Sequence, residues 1–268
     1  MTTAASAMLD VERGSHEGER TASLLDPIVP LETTPTTGPT TGPDEGPVRA
    51  AVSRTIAAWA ILTASLLTIG WLLTRPLVGS VGRWDEHANE WFVARRGGIW
   101  DGVTNVATHA LNTAPVVIAA VLIVGLLAWR HRFREAAFLA LALVIEITVF
   151  LSVTYVVDRP RPHVPRMNST PSTSSFPSGP TAAATVLFAG LVVIATCCTR
   201  SRAVRRFAVL LAVIAAPLVG FARVYRGLHH PTDVIVGMLF GIGCLVGAAI
   251  AVRAASVAYE RRHAATRA

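Results

Sequence analysis

Residues 136–157 read AAFLALALVIEITVFLSVTYVV, and residues 158–163, which follow directly, read DRPRPH. An apolar stretch of roughly 20 residues crosses the hydrocarbon core of a bilayer as an α-helix. The abrupt change to arginine and proline marks the point where such a helix reaches water. Backbone groups in lipid must pair within their own segment, so the stretch is helical; a barrel strand would be shorter and would alternate apolar with polar. Working outward, further apolar runs occupy 56–74, 114–129, 181–198, 207–222 and 233–252. The runs at 114–129 and 207–222 are short, and Arg130 and Arg206 can snorkel from their ends. The fold expected is all-α, a six-transmembrane helix bundle.

Composition agrees. Hydrophobic residues make up 52% of the chain and charged ones only 15%, a balance foreign to an average soluble domain. Every basic residue is arginine. The net charge of +7 divides unevenly: residues 1–50 hold eight acids and three arginines (−5), and the rest holds nine acids and 21 arginines (+12). These arginines flank apolar runs, which points to membrane topology and anionic lipid, with no nucleic-acid partner expected. Cys197, Cys198 and Cys244 lie inside apolar runs and read as small hydrophobes. Residues 1–50, rich in Thr, Pro, Gly and Glu, read as a disordered acidic tail without a signal peptide, and 51–268 as the membrane domain.

Loop arginines orient the bundle. With both termini on the cytoplasmic side of the plasma membrane, the inner loops carry Arg130, Arg132 and Arg134, then Arg200, Arg202, Arg205 and Arg206. The loops 75–113, 155–180 and 223–232 then face outward. In the first of these, Trp84, Ala88, Trp91 and Phe92 share one helical face, which predicts an interfacial or capping helix; Trp100 and Val103 begin a second short one. Glu146, midway along its run, reads as either a functional charge or a protonated helix–helix hydrogen bond.

Three outward segments carry chemistry. The first is Asp158-Arg159-Pro160-Arg161-Pro162-His163, whose guanidinium groups match phosphate oxygens. The second is Phe176-Pro177-Ser178-Gly179-Pro180, a capping turn that opens a helix and so presents backbone N–H groups to an anion. Read alone it is equally an ordinary N-cap. The third runs from Arg223 to Asp233. Asp233 follows His229 by four residues, one helical turn, so its carboxylate can fix the imidazole tautomer and leave the other nitrogen free to attack. A charge cluster that merely ends two helices is the plainer alternative.

Together the segments resemble the signature of the type-2 phosphatidic acid phosphatase (PAP2) superfamily, KxxxxxxRP, then PSGH, then SRxxxxxHxxxD. Here the blocks read Thr154 to Pro162, Pro177-Ser178-Gly179-Pro180, and Ala222-Arg223 with His229 and Asp233 at the matching spacing. The resemblance covers about residues 51–252 and implies a PAP2-like membrane bundle. It further implies an enzyme that hydrolyses a lipid phosphate or polyprenyl diphosphate through a phosphohistidine at the extracytoplasmic face. His229 would be the nucleophile and Asp233 its orienting partner. Arg159, Arg161, Arg223, Ser178 and Gly179 would hold the phosphoryl group, and no metal or cofactor is implied. The sequence departs from the signature at Thr154 (family Lys), Ala222 (family Ser) and Pro180 (the PSGH histidine, which protonates the leaving oxygen). His163 or His230 would be the alternative acid, or a diphosphate substrate would need none. A PAP2-like lipid-phosphate-binding protein with impaired catalysis is the rival expectation.

Overall fold

The computed structural model describes residues 46–169 and 173–267, all helix, turn and loop with no strand among them. In chain order the helices are α1 (Pro47–Thr74), a π-turn (Val78–Gly82), α2 (Arg83–Val93), α3 (Ile99–Ala110), α4 (Thr113–Trp129), α5 (Phe133–Val156), α6 (Gly179–Cys198), α7 (Arg202–Tyr225) and α8 (Pro231–Arg267). Five of them, α1 and α5–α8, are long and apolar enough to span a bilayer. The run at 114–129 falls in α4, which with α3 forms a pair bent by 51°; the pair makes a sixth candidate span if the two cross together. The chain is therefore a multi-pass membrane protein of the expected class.

Helix ends differ from the apolar runs in an understandable way. Pro47 sits at the first turn of α1, where its missing N–H costs nothing, so the helix begins inside the stretch expected as tail. Residues 1–45 of that stretch lie outside the described residues. The run at 207–222 is extended at both ends, since α7 also includes Arg202, Arg205 and Arg206 and runs through Arg223 to Tyr225. The two outer-loop helices appear where expected, but α2 is inverted relative to a soluble amphipathic helix. Its buried residues are Asp85 and Asn89, while Trp84 and Trp91 are exposed. With lipid and interface outside, the polar face turns inward, toward the charges at the end of the bundle.

Helix α8 packs against α1, α5, α6 and α7 and forms the axis of the bundle. Its approach to α6 fixes the site described below. A Cβ on Gly237 would lie 2.7 Å from the Ser178 carbonyl oxygen. Gly237→Ala should force the two helix starts apart and destabilise the domain by about 1–3 kcal/mol. Thermal unfolding in detergent checks this; an unchanged midpoint would show that the contact is slack. Glu146 is buried in α5, and its Oε2 has no hydrogen-bond partner among the described residues.

Candidate functional site

The turn from α7 to α8 places His229. Gly227 adopts φ +71°, a left-handed conformation that favours glycine. Its N–H donates to the Val224 carbonyl and the Leu228 N–H to the Arg223 carbonyl, the paired bonds of a Schellman C-cap. The His229 N–H also donates to Arg223. The chain thus folds back onto the last turn of α7 and brings the imidazole beside the Arg223 side chain. His230 then caps α8. Pro231 opens the helix, and Asp233, three residues after the cap, accepts the His230 N–H through Oδ2 at 2.9 Å.

His229 is buried, and its Nδ1 lies 2.7 Å from the Ser175 carbonyl oxygen. A carbonyl only accepts, so Nδ1 carries the proton and Nε2 keeps its lone pair. Burial is the main cause holding the imidazole well below its ordinary pKa of 6.5, followed by the positive charges of Arg161 and Arg223. The ring is neutral near pH 7. Ser175 is itself fixed: its N–H donates to the Arg159 carbonyl at 3.0 Å and its Oγ to the Pro160 carbonyl at 3.0 Å.

The expected partner of His229 is elsewhere engaged. Asp233 Oδ2 is 3.9 Å from His229 Nδ1, a distance for charge attraction but too long for a hydrogen bond. Its other oxygen pairs with Arg159. The tautomer is therefore set by a backbone carbonyl, with Asp233 a nearby counter-charge.

Arg159 also departs from expectation. Only 4% exposed, it pairs with Asp233 through Nη1 and with Asp85 through Nη2 at 2.6 Å, and Nη1 donates to Thr232 Oγ1 at 2.8 Å. Asp85 additionally accepts the Thr232 N–H at 3.1 Å and its hydroxyl at 2.6 Å. A guanidinium held between two carboxylates has little charge left to offer a phosphate, so Arg159 locks α2, the 158–163 loop and α8 together. Removing one member of such a buried set leaves uncompensated charge. Arg159→Met should cost about 3–5 kcal/mol in thermal unfolding; a loss below about 1 kcal/mol would mean the carboxylates find other partners.

Arg161 and Arg223 are placed differently. Arg161 Nη1 donates to the Leu228 carbonyl at 2.7 Å, next to His229. Arg223 Nη2 donates to Asn112 Oδ1 at 3.1 Å, at the start of α4. In each, Nε is buried with no hydrogen-bond partner among the described residues. Two guanidinium groups with unsatisfied donors flank one neutral imidazole, and an oxyanion is the group such donors fit.

The second segment has less to give than expected. The Ser178 N–H donates to the Asp233 carbonyl at 3.1 Å, and its Oγ bonds with Thr181 Oγ1 at 2.8 Å. Gly179 has a packing role as well, because a Cβ there would lie 2.8 Å from the Phe150 ring. His163, with its side chain 78% exposed, turns to Glu86, which accepts from its backbone N–H at 3.2 Å and contacts its Nδ1 at 3.0 Å. His230 Nε2 contacts the Pro160 carbonyl at 3.2 Å.

Ser175, Asp85, Thr232 and Asn112 were not singled out from the sequence. Asp85 alone had a usable signal, a carboxylate one turn before Asn89 on a side of α2 turned away from Trp91.

Residues 135–257 match the family model described as the PAP2 superfamily. Among solved structures, it is similar to a transmembrane PAP2-type phosphatidylglycerolphosphate phosphatase from Bacillus subtilis. The TM-score is 0.58 at 22% identity, over 74% of this chain and 94% of that one, a likeness of fold. A search of curated proteins found no match. At the level of class, this match supports a membrane lipid phosphatase.

Proposed function

We propose that the chain is a membrane phosphatase that takes a lipid-linked phosphate at the outer surface and transfers the phosphoryl group to His229. The observation that carries this reading is the pair of buried Nε atoms of Arg161 and Arg223, unpartnered among the described residues, beside an imidazole whose Nδ1–H is held by Ser175. The superfamily match and the likeness of fold to a phosphatidylglycerolphosphate phosphatase support it. His229 Nε2 attacks phosphorus, a nitrogen–phosphorus bond forms, and the phosphorus–oxygen bond to the lipid breaks. Asp233, 3.9 Å from Nδ1, offsets the positive charge that develops on the ring. Arg161 and Arg223 hold the phosphoryl oxygens, with the start of α6 closing the site around Ser178 and Gly179. Water then cleaves the nitrogen–phosphorus bond and releases phosphate. In this reading the termini are cytoplasmic, which the arginines of the loops 130–135 and 199–206 support.

Pro180 stands where the superfamily signature has its acid. Neither alternative histidine replaces it well: His163 is directed to Glu86, and the proton on His230 Nε2 goes to the Pro160 carbonyl. The geometry therefore favours a lipid diphosphate, whose leaving group is a phosphate monoester that needs little protonation. The test is phosphate release by the purified protein in detergent from a polyprenyl diphosphate and from phosphatidic acid. Release from the diphosphate is expected. Tight binding of both lipids with no release would favour a lipid-phosphate-binding protein, a reading to which Pro180 lends weight.

The depressed pKa of His229 has a kinetic consequence. Its neutral form attacks, so kcat/KM should stay level as pH falls through about 6.5, where a free imidazole protonates, and decline only in more acidic solution. A rate that halves near 6.5 would mean the nucleophile is solvated, contrary to its burial.

A further inference from the structure

The break between α3 and α4 makes two acceptors available. Helix α3 closes with the Leu111 N–H donating to the Ala107 carbonyl at 3.0 Å, and Asn112 is extended, with ψ 163°. In an unbroken helix the Thr108 carbonyl would accept the Asn112 N–H. The break releases the carbonyl from that bond. It also makes Asn112 the cap of α4, with Oδ1 accepting the Thr113 N–H at 2.9 Å. Arg223 reaches both acceptors. Its Nη2 donates to Asn112 Oδ1 at 3.1 Å and approaches the Thr108 carbonyl at 3.5 Å. Both partners of the Asn112 side chain are N–H donors, so its oxygen is the atom that meets them.

Charge sorts the arginines of the site. Arg159 is held by two carboxylates, Asp85 and Asp233. Arg161 and Arg223 are held by neutral oxygens, and neither forms an ion pair with a carboxylate among the described residues. A neutral oxygen fixes the direction of a guanidinium and leaves its charge intact, whereas a carboxylate fixes the direction and cancels the charge. Capping alone does not call for an amide at residue 112, because aspartate caps a helix as well as asparagine does. The difference between the two lies in what they do to Arg223.

We propose that Asn112 is a positioning residue for phosphate binding: its neutral oxygen aims the Arg223 guanidinium and leaves the full positive charge to the lipid phosphate. The inference rests on the phosphate-holding role of Arg223 proposed above. It gives the bend between α3 and α4 a purpose in the site, since the bend supplies both oxygens that steer this arginine.

Two substitutions test it on the full chain in detergent. Asn112→Ser and Asn112→Asp both keep a capping oxygen, so a role in capping alone predicts three equal proteins. Positioning predicts the order Asn, then Ser, then Asp. The serine oxygen stands one bond nearer the backbone and leaves Nη2 unheld. The aspartate pairs with the guanidinium and repels the incoming phosphate. Equilibrium binding of a polyprenyl diphosphate, phosphate release and thermal unfolding are measured for each. Kd should rise about fivefold for Asn112→Ser and about 10–100-fold for Asn112→Asp, with kcat/KM falling in step. The unfolding midpoints should match that of the wild type. An Asn112→Asp affinity within about threefold of the wild type, a greater loss for Ser than for Asp, or losses that track a lowered midpoint would overturn the proposal. Binding is read without turnover. A wild type that binds the diphosphate and releases no phosphate would refute the reaction at His229 and leave this inference to be decided by the affinities.

Discussion

Alanine in place of His229 should lower phosphate release from a lipid diphosphate by about 10⁴-fold while leaving lipid affinity within about tenfold. The reasoning separates binding from chemistry. Arg161 and Arg223 keep their buried donors when the imidazole is gone, so the phosphoryl group still has its electrostatic partners. What disappears is the atom that attacks. The Nδ1 bond to Ser175 goes with it, but Ser175 remains held by Pro160 and Arg159, so the pocket should keep its shape. Phosphate release, equilibrium lipid binding and circular dichroism on one preparation check all three points. Retention of more than a tenth of wild-type turnover would mean that His229 is not the nucleophile.

Pro180→His should raise release from phosphatidic acid by about 10²–10⁴-fold, the usual range for a well-placed general acid, and should change release from a polyprenyl diphosphate by less than about tenfold. Alkoxide departure needs a proton, and departure of a phosphate monoester hardly does. Pro180 sits in the first turn of α6, where proline is tolerated because its N–H would have no helical partner. It is half-buried, so a histidine can enter without opening the core. Initial rates on the two substrates, measured side by side, give the ratio directly. Equal gains would remove the leaving-group argument and with it the preference for a diphosphate.

The apolar runs made the bundle legible, because a membrane leaves only helices as solutions for such stretches. The bend between α3 and α4 was not legible. The break at Leu111 and Asn112 reads as a loop, and nothing local shows that a helix before it adjoins α4 at a 51° bend. Within the site, the closeness of His229 and Asp233 could be read from their four-residue step. The partner of His229 could not, since a backbone carbonyl such as that of Ser175 leaves no mark in the sequence. The distinct roles of Arg159 and Arg161 were hidden for a related reason. Alternating prolines favour an extended helix of three residues per turn, so side chains two apart point in different directions. Which one meets carboxylates depends on Asp85, more than 70 residues earlier in the chain. The aromatic face of α2 drew attention away from that carboxylate, although in a membrane protein the polar face is the one that turns inward.

The most direct test of the central claim is to trap the phosphoryl group. The enzyme is mixed with a lipid diphosphate, quenched in alkali to preserve phosphohistidine, digested and mapped by mass spectrometry. Phosphate on the peptide that contains His229, absent from the His229→Ala protein, is the predicted result. Steady phosphate release with no phosphoryl group on His229, or with it on another residue, would contradict the account.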